Sequence, residues 1–123
     1  MFKLIYYGIQ IRKIACLAES IGSFRRCSSI VKIFPKDEMY ILTSQIKRTA
    51  DSVSLNIAEG STGQSNPEFN RFLGMALRSN IEVVGSISLA QRRGYIKEKE
   101  FEEIYNAREK LLVMINALRK TLV

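Results

Sequence analysis

Asn56–Leu73 reads NIAEGSTGQSNPEFNRFL: an apolar-periodic run halts at Gly60, a short polar loop follows, and a second run opens on helix-entry residues. Gly60 suits a left-handed position just past a helix end, where a residue without Cβ is favoured. Ser65-Asn66-Pro67-Glu68 fits a capping box with Ser65 as N-cap; with Asn66 as the cap instead, Pro67 takes the first helical position. Both readings predict two long helices joined by a tight turn centred near Gly63, and therefore antiparallel neighbours.

Upstream of this hairpin, Leu42, Ile46, Ala50, Val53 and Ile57 recur at helical spacing and predict a helix over about 36–59. Asp37 and Glu38 fall in its first turn, where the helix dipole favours negative charge. Ser44, Thr49, Ser52, Ser54 and Asn56 lie between the apolar positions, small enough to let a neighbouring helix approach closely. Further upstream, Leu17, Ile21, Phe24, Cys27, Val31 and Phe34 form a stripe that predicts a helix over 3–33, ended by Pro35. Downstream, Phe69, Phe72, Ala76, Val83, Ile87 and Ala90 form one stripe of a helix over 67–93, and Leu73, Leu77, Ile81 and Val84 form a second beside it. Gly94 stops that helix. Phe101, Ile104, Leu111, Ile115, Leu118 and Leu122 then define the seam of a last helix over 97–122. Strand alternation and internal repeats are missing. The expectation is an all-α protein: one domain over residues 1–123, folded as an antiparallel up-down four-helix bundle.

A chain of 123 residues is long enough to bury a core of its own. Its formal charge is +7, divided unevenly: residues 1–50 hold nine Lys/Arg against three Asp/Glu, and residues 51–123 hold ten against nine. Such an excess attracts acidic partners or simply maintains solubility. Histidine does not occur, which removes His-based acid–base chemistry and most transition-metal sites. Cys16 and Cys27 would lie about 16 Å apart along one helix, too far for a disulfide, so both are expected as small core thiols in a reducing cytoplasm. Lys3 and the apolar run Leu4–Ile9 faintly resemble a signal peptide, but Gln10, Arg12 and Lys13 interrupt it too early. No uncharged run reaches the roughly 18 residues of a membrane span.

Chemical motifs are scarce. Gly60-Ser-Thr-Gly63 lacks the lysine of a phosphate loop, because Gln64 stands after it. Glu59, Glu68 and Glu82 are carboxylates, but bundle metal sites of that type use Glu-x-x-His pairs. No cofactor, metal or catalytic residue is expected.

The ordered set Phe34-Pro35, LTSQIKR (Leu42–Arg48), NIAEG (Asn56–Gly60), EFNRFL (Glu68–Leu73), ALRS (Ala76–Ser79) and GYI (Gly94–Ile96) resembles a bacterial family of four-helix-bundle proteins. These are encoded by intervening sequences within large-subunit (23S) ribosomal RNA genes. The resemblance covers about residues 30–122; the opening MFKLIYYG departs from the family's usual start. It implies a bundle that often assembles as a homopentamer, without established enzymatic activity. It also implies kinship with accessory proteins of diversity-generating retroelements, which work with a reverse transcriptase and nucleic acid.

Three expectations follow for sites. Glu59 and Arg71, brought to similar levels by the hairpin, are expected to pair; Glu82 is within about a turn of Lys47 and Arg48. Leu77, Ile81 and Val84, with Tyr105 and Leu112 on the last helix, exceed what one core face needs and predict a homo-oligomer interface. The adjacent cations Arg12-Lys13, Arg25-Arg26 and Lys47-Arg48 are candidate contacts to RNA or DNA, salt-sensitive and without base preference, since no aromatic stacking platform is evident.

Overall fold

Four helices make up the protein: α1 (Phe2–Ile30), α2 (Ser44–Ser61), α3 (Asn66–Arg92) and α4 (Glu98–Lys120). This computed structural model describes residues 2–62 and 65–123, with side chains from residue 8 onward. Successive helices pack side by side, and α4 closes on α1, giving the expected antiparallel up-down bundle. No strand occurs among the described residues.

The α2–α3 end is set by two local choices. Ser65 is the N-cap of α3: its hydroxyl accepts the Glu68 N–H at 3.2 Å, which leaves Pro67 inside the first turn, where a missing N–H costs nothing. Gly60 does not take the left-handed position expected of it. The helix continues through it to Ser61, and Gly60 is buried. A Cβ there would lie 2.6 Å from Phe72 Cβ and 2.9 Å from Phe69 Cδ1, so this glycine serves close helix approach rather than chain reversal. The expected turn centre at Gly63, with Gln64, lies outside the described residues.

Gly94 takes the role expected of Gly60. At φ +78° it follows the end of α3; its N–H donates to the Gln91 carbonyl and that of Tyr95 to the Ala90 carbonyl, both at 3.0 Å. This is a Schellman closure. Opposite it, the α1–α2 connection is more elaborate than one long helix from residue 36. Val31–Ile33 and Lys36–Glu38 are 3-10 turns on either side of Pro35, and Met39–Thr43 is a single π turn leading into α2. Glu38 fastens the two connections together. Its carboxylate accepts from Tyr95 Oη at 3.0 Å and from Arg93 Nη1 at 3.3 Å, while the rings of Phe34 and Tyr95 lie 5.5 Å apart.

The core falls into two apolar clusters. One, toward the α2–α3 end, contains Val53, Ile57, Leu73, Leu111, Ile115 and Leu118; the other contains Leu42, Ile46, Val83, Ile87, Ile96 and Ile104. Between them runs a polar layer. On α1 the buried stripe is Cys16, Ser20, Ser23, Cys27, Val31, and Ile21 points outward instead of occupying it. These small side chains let α1 sit close to its neighbours, whereas a stripe through Ile21 would have held it away. Ser54 donates to Ser20 at 3.0 Å, and Ser52 bonds Ser79 at 3.1 Å, so the serines of α2 also tie helices together.

Candidate nucleic-acid interface

α1 carries two of the three cation pairs and α2 the third, and the fold keeps them apart. Arg12 is exposed and lines a cleft against α4 with Asn116 and Lys120. Its neighbour Lys13 turns the other way, placing Nζ 4.9 Å from the centroid of Phe69. A half-buried ammonium over an aromatic face is engaged in cation–π attraction and has little left for a phosphate. Arg25 and Arg26 are exposed further along the same α1–α4 groove, but Glu100 and Glu103 of α4 line that stretch with them. Lys47 and Arg48 are exposed on the outer face of α2, within a shallow groove that also holds Asp51 and Glu59.

Glu59 and Arg71 do not pair. Because α2 runs on to Ser61, Glu59 turns to that outer groove, and the Arg71 guanidinium lies 4.9 Å from the Phe72 centroid. Glu82 forms no ion pair with Lys47, Arg48 or Arg78. The ion pairs among the described residues are Arg93–Glu38 and Lys110–Glu19, the latter at 3.5 Å between α4 and α1.

The apolar surplus of α3 and α4 is partly outward. Ile81 and Tyr105 are exposed, while Leu77, Val84 and Leu112 are half-buried. Ile81, Val84, Tyr105 and Leu112 line one small cleft of about 160 Å³ between the two helices. An apolar stripe on α1, with Ile11, Ile14 and Ile21 all exposed, stands beside this expectation and was not part of it.

Two features escaped the reading of the sequence. Tyr40, on the π turn, is 88% exposed in the groove of Lys47 and Arg48, an aromatic face of the kind thought to be missing. The signal was the break in helical spacing between Pro35 and Leu42. The second is Arg108, wholly buried in α4 with no carboxylate partner. Its Nη1 donates to Asn80 Oδ1 at 3.2 Å and its Nη2 to Cys27 Sγ at 3.4 Å; Asn80 Nδ2 in turn donates to the Arg108 carbonyl at 2.9 Å. Arg108 Nε and Ser23 Oγ have no partner. The seven-residue gap between Ile104 and Leu111 in the α4 seam was the trace of this layer, and Asn80 fills a like gap between Ala76 and Val83 on α3. Both thiols are free and buried, and burial pushes Cys16 up to about 11 against a smaller opposing pull from Arg12.

No described helix is long and apolar enough to cross a membrane. The sequence model of the 23S rRNA-intervening sequence protein family matches residues 12–117, reaching upstream into α1 beyond the motifs that carry the resemblance. A crystal structure of a protein of unknown function from the S23 ribosomal protein family of Bacteroides thetaiotaomicron has the same fold. Its TM-score is 0.81 at 23% identity, over 89% of this chain and 98% of that one. No curated protein matches the chain.

Proposed function

The chain belongs to the 23S rRNA-intervening sequence protein family, and from that footing we propose that it is a non-catalytic, self-assembling bundle that binds the phosphate backbone of RNA or DNA. The observation that carries this reading is the outward placement of positive charge: Arg12, Arg25, Arg26, Lys47 and Arg48 are all exposed on a chain of formal charge +7. Exposed cations release condensed counterions when they meet phosphates, so such binding weakens steeply with salt and reads little sequence. Assembly would repeat each cation around an axis and add weak contacts together. Self-association is supported by exposed Ile81 and Tyr105, and by Ile11, Ile14 and Ile21 on α1. Five subunits, and a reverse transcriptase as an alternative partner, rest on the family resemblance alone.

Salt titration against RNA and DNA oligomers tests the reading, with a variant in which Arg12, Lys13, Arg25, Arg26, Lys47 and Arg48 become Gln. Native binding at low salt that the variant loses supports it. Equal affinity of the two proteins, or no native binding, overturns it. Light scattering that finds a 14.0 kDa particle at high micromolar concentration overturns the assembly.

A second reading, a purely structural interaction bundle, is favoured by one observation. Two of the three cation pairs sit beside carboxylates, Arg25-Arg26 by Glu100 and Glu103, and Lys47-Arg48 by Asp51 and Glu59. That is how a solvated helix face is commonly built.

A further inference from the structure

The groove between α1 and α4 has two stretches of opposite electrostatic character. Near Arg25 and Arg26 it is lined by Glu100 and Glu103, so two cations face two carboxylates. Near Arg12 it is lined by Lys120, Asn116 and an apolar floor that includes Leu112 and Ala117, with no carboxylate. Arg12 and Lys120 are both exposed, and among the described residues neither takes part in an ion pair or side-chain hydrogen bond. The Asn116 amide adds a neutral donor that is also exposed and without a partner. The cleft measures about 540 Å³ and lies where the two helices meet, so cations from separate elements face one space. α4 ends at Lys120, and its carbonyl end disfavours an anion. The side chains must therefore supply the attraction.

We propose that this Arg12–Lys120 cleft is the point at which a nucleic-acid phosphate docks most tightly, and that the Arg25-Arg26 stretch, faced by Glu100 and Glu103, contributes less. The inference rests on the nucleic-acid reading above and sharpens it to one place. A guanidinium offers a planar fork to phosphate oxygens and an ammonium a compact charge, so the two together suit a phosphodiester better than either alone. Along the rest of the groove, Glu100 and Glu103 already offset the arginines and repel an approaching phosphate. The Lys120 contact could not be anticipated from adjacent pairs in the sequence, because its companion lies more than a hundred residues earlier on another helix.

The experiment compares three proteins, native, R12Q/K120Q and R25Q/R26Q, binding a labelled single-stranded RNA and the DNA of the same sequence across a salt series. Circular dichroism confirms that each variant is folded. R12Q/K120Q is expected to weaken binding about tenfold or more and to flatten the salt slope by about 1.4, two phosphate contacts on a single strand. R25Q/R26Q, whose charges Glu100 and Glu103 partly offset, is expected to weaken binding several-fold less than R12Q/K120Q does. The charge-conserving R12K/K120R variant is expected to keep most of the affinity. Equal losses in the two Gln variants, or a loss confined to R25Q/R26Q, overturn the assignment while leaving nucleic-acid binding in place. No binding by the native protein removes both. Comparison of the RNA and DNA arms identifies which backbone the cleft takes.

Discussion

At the α2–α3 end Gly60 brings α2 against Phe69 and Phe72 of α3, and Ser65 caps the start of α3. At the opposite end two connections lie side by side, and polar contacts join them, with Glu38 accepting from both Arg93 and Tyr95. Between the ends sits the layer of Asn80, Arg108, Cys27 and Ser23, so the two apolar clusters meet across polar atoms. Among the described residues, close helix approach at a glycine marks one end, and side-chain hydrogen bonds between two connections mark the other. The central layer then decides whether the ends behave as one cooperative unit.

The largest expected effect falls on that layer. Asn80→Leu removes the acceptor of a buried guanidinium and should cost about 2–3 kcal/mol, read by urea unfolding. Adding Arg108→Met should restore native stability or exceed it, because a buried charge held without an ion pair contributes little once its desolvation is counted. Hydrogen exchange on the single variant should show both ends weakened together. An end that keeps its protection while the other loses it would show that the two halves of the bundle unfold independently.

Each end then has its glycine, and each should fail for its own reason. Gly60→Ala forces a Cβ into Phe72 and should cost about 1–2 kcal/mol, the overpacking penalty less the gain in helix propensity. Gly94→Ala leaves open space around the new methyl, but its φ of +78° is unfavourable for a residue with Cβ, and the cost should be about 1 kcal/mol. Thermal midpoints of the two variants, with Gly60→Ala the lower, would sharpen the contrast between packing and backbone conformation.

Smaller effects separate the ends by pH. The hydrogen bond to Glu38 raises the Tyr95 phenol above its ordinary value, with burial and the Glu38 charge acting the same way. A raised acid favours the protonated form in the native state, so this contribution is complete below pH 10 and is lost as pH rises through the raised value. Tyr95→Phe should therefore lose part of the alkaline decline in stability that the native protein shows. At the other end Cys16, held at about 11, should resist alkylation at pH 8 in the native state and react freely in urea; its contribution to stability fades between about 9 and 11.

The helix order and the bundle topology were legible because apolar periodicity acts locally, and capping chemistry narrowed the start of α3 to Ser65 or Asn66, of which Ser65 is the cap. The inner stripe of α1 was not. Ile21 continues a regular apolar pattern, yet Ser20 and Ser23 are buried, since close approach to α2 favours small side chains over larger apolar ones. Gly60 shows the same limit: sequence announces a glycine but not whether a turn or a neighbouring helix requires it. Among the site residues, exposure of Arg25, Arg26, Lys47 and Arg48 could be anticipated from their flanking stripes, whereas Arg12 falls where the loose upstream stripe of α1 would want an apolar residue. Which of Arg12, Arg25 and Arg26 faces a carboxylate depends on α4, across a groove that no single segment encodes.

The π turn at Met39–Thr43 closes i to i+5 and so holds one residue more than an α turn of the same place. Only Leu42 of the five is buried; Met39, Tyr40 and Ile41 all lie outward. The surplus is thus confined to the solvent side, while Phe34 before it and Ile46 after it stay in the core. Loss of one residue here would tighten the turn to an ordinary helical one without rotating the inward face of α2. Deleting Tyr40 itself would take its 88% exposed ring out of the groove of Lys47 and Arg48 while leaving the buried face of α2 in place.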